Sequence, residues 1–176
     1  MRLELRGVRP YMGRIDLAQL RYRMLNDIYN ERILDLAGNM PRLGRLSDPD
    51  ASATAHSKLC GSTVTIDLKL VDGIVTDFGH EVRACALGQA SSSIMARYVV
   101  GAQAGELRAL RDAMLAMLKR NGAPPDGRWS DCAVLEPVRD YKARHASTML
   151  TFEAVVDAIG QIERKSAGER VGALTA

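Results

Sequence analysis

Two alternating apolar stretches joined by an Asp-Gly dipeptide constrain this sequence more than any other feature. In VTIDLKLV, residues 64–71, apolar and polar side chains alternate as they do in a strand with one buried face. Asp72-Gly73 favours a two-residue hairpin turn, and IVTDF returns as the partner strand. The preceding ATAHSKL can form a third, outer strand that leads into Cys60. The sequence therefore predicts a three-stranded antiparallel sheet.

Apolar residues recur at helical spacing on both sides of this predicted sheet. The predicted helices cover residues 15–37, 87–98 and 107–118, a short stretch after Cys132 that is interrupted near Pro137, and residues 143–162. The predicted fold class is therefore α+β, a small three-stranded antiparallel sheet with about five helices packed mainly on one face. We expect a loosely ordered extension over residues 1–14, a single domain over 15–163, and a flexible tail over 164–176.

Length and charge limit the classes of function that the sequence allows. A chain of 176 residues suits one domain, and no apolar run approaches the roughly 20 residues that a membrane helix needs. The net charge is only +3 and the arginines are scattered, which argues against nucleic-acid binding. Since the N-terminal stretch has no continuous apolar run typical of an export signal, a cytoplasmic protein is expected.

The chain has three cysteines, Cys60, Cys85 and Cys132, with no CxxC pair among them. An odd number argues against a disulfide framework. Because an antiparallel hairpin brings its open ends together, Cys60 and Cys85 are expected to approach each other. Cys85 and Cys132 each precede a predicted helix, where the helix N-terminus favours a thiolate. Taken singly, each cysteine is more often a buried apolar side chain, but three cysteines at strand–turn and loop–helix boundaries weaken that interpretation.

The stretch LCGSTVTIDLKLVDGIVTDFGHEVRACALGQASSSIMA resembles the core of the U-type iron–sulfur cluster assembly scaffolds, the NifU-like, IscU-like and SufU-like proteins. Cys60 with Gly61 matches the first cysteine of that family, which is followed by an alternating strand and an Asp-Gly hairpin. Cys85, before a serine-rich helix, matches the second cysteine. Cys132 matches a third cysteine that opens a later helix. The ordered combination is more specific than any one motif.

This resemblance implies that the three cysteines gather at one tip and hold a nascent [2Fe–2S] cluster or Zn²⁺. Sulfur would arrive as persulfide from a cysteine desulfurase, with Cys132 and Cys85 as acceptor candidates. The finished cluster would pass to apo iron–sulfur client proteins. The resemblance thus predicts a scaffold or carrier rather than an enzyme, present as a monomer or weak homodimer.

The sequence departs from the family pattern at the fourth ligand. Ser62 stands where the family has an aspartate, and a neutral hydroxyl is a poor substitute for a carboxylate. Asp131, beside Cys132, is the preferred replacement ligand, although it serves equally well as an N-cap for the following helix. His56 and Glu81 are weaker candidates. The loop with Pro124 and Pro125 also lacks the Val-Lys that completes the chaperone-recognition segment of IscU-like members.

Three other functions remain open from the sequence. One is a zinc-dependent sulfur acceptor or activator of a cysteine desulfurase, since both zinc and iron–sulfur clusters use thiolates. Another is a cysteine hydrolase with Cys85 as nucleophile and His56 or His145 as base. The last is an interaction module with inert cysteines.

Overall fold

A computed structural model describes residues 30–174, and within the last helix it describes side chains as far as residue 168. The elements follow in the order α1 (Glu31–Gly38), β1 (Ala51–His56), β2 (Thr63–Val71), β3 (Ile74–Arg83), α2 (Ala86–Tyr98), α3 (Ala104–Arg120), a 3₁₀ segment (Gly127–Asp140) and α4 (Lys142–Leu174). A three-stranded antiparallel sheet with helices confirms the predicted α+β class. Across residues 30–174, no helix is both long and apolar enough to span a membrane.

The sheet has the order β1-β2-β3, with both pairs antiparallel. Asp72 and Gly73 adopt φ values of 52° and 76°, and two successive positive φ angles are what a tight type I′ hairpin requires. The hairpin continues further than the alternating pattern indicated, because β3 runs on until Arg83 pairs with Thr63. The end of β3 therefore lies beside the start of β2.

One face of the sheet forms the core. Val64, Ile66 and Leu68 are fully buried, and α4 packs along β1 and β2. The opposite face is partly covered by the loop that precedes β1. Asp67 was expected to face solvent on a half-buried strand, but it is also fully buried. Its burial is tolerated because its carboxylate accepts hydrogen bonds from Arg45 at 2.6 and 2.8 Å. The alternating pattern identified the inner face but not the loop that covers the outer one.

Some of the predicted helix boundaries are confirmed and others are wrong. The helix after Cys85 and the stop of α3 at Asn121, which is left-handed with φ 53°, are confirmed. The continuous helix predicted over residues 15–37 is wrong at Asn30, which is extended and caps α1 by accepting from the Ile33 N–H at 2.9 Å. Residues 1–29 lie outside the described part of the chain.

The C-terminal half departs further from expectation. The stretch predicted as a short helix opening at Cys132 begins earlier, at Gly127, and is a 3₁₀ segment that contains Pro137. Cys132 therefore lies inside the segment rather than at its start. The last helix continues through Leu174, so the segment 164–174 is helical where a flexible tail was predicted.

Candidate metal centre

Cys60 lies on the loop that joins β1 to β2. Gly61 adopts φ +69°, and the loop is closed by the Ser57 N–H donating to the Ser62 carbonyl at 2.9 Å. The Cys60 Sγ lies 3.3 Å from Ser57 Oγ and 3.0 Å from Ser62 Oγ, and the residue is exposed. Hydrogen bonds from Ser57 and then Ser62 lower the pKa of the Cys60 thiol, and the charge of Arg144 acts in the same direction. Cys60 is thus an accessible thiol that its neighbours stabilise as thiolate.

Cys85 is the N-cap residue of α2, with extended backbone and no side-chain capping bond. Its predicted place at a helix start is confirmed. The half-buried Sγ lies 3.6 Å from the Oγ of Ser147, a residue of the second turn of α4. Gly88 permits this approach, because a Cβ there would lie only 3.1 Å from the Ser147 carbonyl oxygen. The contact between α2 and α4 therefore sets the surroundings of the second thiol.

The beginning of α4 faces both thiols. Ser147 Oγ donates to the Arg144 carbonyl at 3.0 Å and contacts Cys85, whereas the Arg144 charge acts on Cys60. The thiols also lie at one end of the sheet, since Cys60 precedes β2 by three residues and Cys85 follows β3 by two. This agrees with the predicted approach of the two hairpin ends. The structure thus groups Cys60 and Cys85 with serine hydroxyls and one arginine.

Three residues beside the thiols were not predicted from the sequence: Ser57, Arg144 and Ser147. A signal for the last two was present, because the family pattern places its third ligand at the opening of a later helix. In the structure α4 is such a helix, and the residue that it places against Cys85 is Ser147. Cys132, followed by Ala133 and Leu135, resembled the family's third cysteine before a later helix, and it was therefore the predicted third ligand.

Cys132 is separated from this site. Its side chain is fully buried, and burial, with a smaller contribution from the Asp131 charge, raises the pKa of its thiol to about 12. The expectation that a helix start would favour a thiolate here is wrong, because the residue lies inside the 3₁₀ segment and in the core. A buried neutral thiol is also a poor persulfide acceptor, the other role predicted for Cys132.

Asp131 fulfils neither of its two predicted roles, metal ligand and helix N-cap. Its carboxylate accepts from Tyr98 Oη at 2.8 Å and from Arg32 Nη2 at 3.3 Å. Tyr98 ends α2 whereas Cys85 precedes its first residue, and a helix of 13 residues separates its ends by about 20 Å. The N-cap of the 3₁₀ segment is Asp126. Asp131 therefore neither joins Cys85 in a ligand set nor caps a helix.

The described residues 30–174 contain no group of three or more His, Cys, Asp or Glu side chains placed to hold a metal ion. Glu81 is exposed on β3. His56 is exposed, with Nδ1 3.0 Å from Thr63 Oγ1, and the buried His145 donates from Nε2 to the carbonyls of Val138 and Arg139. Since neither histidine contacts Cys85, the cysteine–histidine pair of a hydrolase is not formed.

The fold and these two thiols define a class of small α+β domains that present cysteines from loops at one end of an antiparallel sheet. The chain belongs to the NifU-like N-terminal domain family, whose family model matches residues 28–148. It is 28% identical over 137 residues to the iron–sulfur cluster assembly scaffold protein IscU of Thermotoga maritima, covering 78% of this chain and 96% of that protein.

Two solved structures have the same fold. The N-terminal part of a nitrogen-fixing NifU-like protein from Brucella abortus is 70% identical, with a TM-score of 0.80, and the match covers 81% of this chain and 99% of that one. A SufU scaffold from Fervidobacterium islandicum is 19% identical, with a TM-score of 0.71, and the match covers 76% of this chain and 98% of that one. The second likeness supports the fold alone.

Proposed function

We propose that this chain is an iron–sulfur cluster assembly scaffold whose thiolate ligands are Cys60 and Cys85. The observation that carries the proposal is the placement of these two thiols at one end of the sheet, from two separate loops, beside the start of α4. The family assignment and the scaffold name of the Thermotoga relative support the same role.

The chemistry of the site suits a thiolate-bound cargo. Iron–sulfur clusters and Zn²⁺ both take cysteine thiolates as ligands. The serine hydroxyls beside Cys60 and the positive charge of Arg144 stabilise the ionised thiol, which is the form that binds metal. The cargo that we propose is a transient [2Fe–2S] cluster, passed on to apo-proteins, and Zn²⁺ fits the same thiolates.

We propose that Cys60 accepts sulfur from a cysteine desulfurase, since it is the exposed thiol of the pair. Its thiolate attacks the outer sulfur of the persulfide on the donor cysteine. A new S–S bond forms on Cys60, the S–S bond of the donor breaks, and the donor cysteine leaves as a thiolate. The exchange is balanced without an oxidant or reductant. The full burial of Cys132 favours Cys60 over Cys132 for this step.

Anaerobic reconstitution with ferrous iron, ferric iron and sulfide tests the ligand assignment. Cys60→Ala and Cys85→Ala are expected to lose the visible absorption of the cluster together with its iron and acid-labile sulfide. Cys132→Ala is the matched control, since it removes a thiol that lies in the core, and it is expected to keep the cluster. A folded Cys132→Ala variant without cluster, with native far-UV circular dichroism, would contradict the assignment.

A zinc-bound sulfur acceptor is the second candidate function, favoured by the exposure of Cys60 and the lowered pKa of its thiol. Metal analysis of anaerobically purified protein separates the two. About one zinc per chain without sulfide would support the acceptor. Iron and sulfide in equal amounts would support the scaffold.

A further inference from the structure

A cavity of about 940 Å³ lies between the end of β1, the end of α3, the end of the 3₁₀ segment and the start of α4. Neither Cys60 nor Cys85 is among the residues that line it. Sites for small molecules usually have volumes of about 300–1,000 Å³ and a largely apolar lining with a few polar groups. The cavity therefore has the size of a ligand site and is distinct from the two thiols.

Part of the lining is apolar and fixed in place. Leu118 from α3 is 2% exposed and Met149 from α4 is 5% exposed, and both line the cavity. His145 lines it as well, and its ring is held because Nε2 donates to the carbonyl oxygens of Val138 and Arg139 at 3.1 and 3.0 Å. Since the core and these hydrogen bonds hold the side chains, the apolar wall is formed before a ligand enters.

Two of the charged side chains in the lining already have partners. Arg139 Nη2 lies 2.5 Å from Glu136 Oε1, and the Glu153 carboxylate lies 3.4 Å from Arg111 Nη1. Both partners are outside the lining. One cation and one anion of the cavity are therefore neutralised from its surroundings.

The remaining charges of the lining favour an anionic ligand. Lys119 and Lys142 are exposed at the end of α3 and the start of α4, and Asp140 is exposed beside them in the lining. Within the described part of the chain, none of these three side chains forms an ion pair or a hydrogen bond. Two ammonium groups and one carboxylate leave an excess of one positive charge. That excess matches a ligand with a single negative charge.

We propose that this cavity binds a small aliphatic monocarboxylate. The hydrocarbon chain packs against Leu118 and Met149, where it leaves water. The carboxylate accepts hydrogen bonds from Lys119 and Lys142, and hydrogen bonds between charged groups are the stronger ones. This binding site is additional to the proposed scaffold function and does not depend on it.

The first turns of α4 separate the cavity from the thiols. His145 and Met149, four residues apart, line the cavity on one side of the helix. Ser147, between them in sequence, points to the other side and contacts Cys85. A carboxylate and a thiolate-bound cargo can therefore be held at the same time. Binding of the carboxylate is expected to be unchanged in Cys60→Ala, so the inference can fail while the scaffold function stands, and the reverse.

Titration of the full chain with sodium octanoate tests the inference, followed by calorimetry and by NMR of the methionine methyl groups. The expected result is saturable binding of one octanoate per chain with a shift of the Met149 methyl signal. Octylammonium has the same chain and the opposite charge, and it is expected to bind at least about tenfold more weakly. Equal affinities would overturn the carboxylate assignment. A Met149 signal that does not shift with octanoate up to about 10 mM would overturn the site, because even a weak site would be filled there.

Two phenylalanine substitutions test the place of binding. Ala146 is exposed and lines the cavity, so Ala146→Phe fills space that the ligand needs and is expected to lower the affinity for octanoate at least about tenfold. Ala143→Phe is the matched control, since Ala143 is exposed on the same helix but does not line the cavity, and it is expected to keep the affinity. Equal affinities in the two variants, with native far-UV circular dichroism, would contradict the site.

A charge reversal tests the recognition of the carboxylate without filling the cavity. The double variant Lys119→Glu with Lys142→Glu is expected to prefer octylammonium over octanoate. Lys58→Glu is the control, since Lys58 is exposed but outside the lining, and it is expected to keep the preference for octanoate. An unchanged preference in the double variant would show that the lysines do not hold the carboxylate and would overturn the inference.

Discussion

Replacing Gly88 by alanine tests the contact that brings α4 to Cys85. Gly88 is the third residue of α2. A Cβ at this position would lie 2.7 Å from the Cβ of Ala84 and 3.1 Å from the carbonyl oxygen of Ser147. Neither atom is the free end of a flexible side chain. The added methyl group must therefore displace Ala84, which precedes α2, and shift the Ser147 backbone of α4 by a few tenths of an ångström.

Two opposing contributions to the free energy of unfolding decide the effect of Gly88→Ala. Alanine is favoured over glycine by about 1 kcal/mol inside a helix, although the gain is smaller in the first turn. Overpacking at a close contact costs about 1–3 kcal/mol. We therefore expect Gly88→Ala to lower the free energy of unfolding by about 1 kcal/mol, which corresponds to a fall in Tm of about 2–4 °C for a chain of this size.

Gly160→Ala is the matched control. Gly160 lies inside α4, and a Cβ there would meet the Arg164 Nη1 at 3.2 Å, the end of a flexible side chain. This variant is expected to gain close to the full helix preference, about 1 kcal/mol. Urea unfolding followed by circular dichroism measures both. If Gly88→Ala is stabilised as much as Gly160→Ala, the described approach of α2 and α4 is wrong.

Asp67→Ala is expected to destabilise the fold by about 2–3 kcal/mol, below the usual cost of breaking a buried ion pair because the Arg45 side chain is 44% exposed and can be hydrated. Asp48→Ala, which removes a 91% exposed carboxylate paired with Lys69, should change stability by less than about 0.5 kcal/mol, and a similar loss in both would argue against the buried pair. Burial lowers the pKa of His80, so the unfolded chain takes up a proton below about pH 6.5 while the folded chain does not. Stability should therefore fall as the pH drops from 7 to 5, and His80→Gln should flatten that slope; an unchanged slope would remove His80 as the cause. In native protein a thiol reagent should modify Cys60 first and Cys132 only after unfolding, and early modification of Cys132 would contradict its burial.

The sheet and its hairpin were predictable because their signals are local. Alternation in residues 64–71 and the Asp72-Gly73 turn act between neighbours in sequence, and both are realised in the structure. The same holds for Cys85 at the start of α2 and for Asn121 at the end of α3. Such features depend on backbone preferences that each segment expresses by itself.

The ligand set was less predictable because it depends on contacts across long sequence separations. Cys132 follows the expected order of cysteines, yet it lies in the core. Asp131 adjoins it, yet its partners are Tyr98 and Arg32, 33 and 99 residues away in sequence. Ser147 contacts Cys85 across 62 residues. Only the packing of α4 and the 3₁₀ segment against α2 decides which side chains face the thiols.

By itself, then, the sequence determined the α+β class, the hairpin, the resemblance to the U-type scaffolds, and the place of Cys60 and Cys85 at the ends of neighbouring strands. Strand alternation, turn residues and helix starts are set by interactions within a few residues, so they can be inferred from the chain. The tertiary structure decided that Cys132 is a core residue, that Asp67 is buried, and that Ser147 and Arg144 stand beside the thiols. Burial and long-range contact arise only when distant segments pack together, since the free energy of a buried side chain depends on everything that covers it.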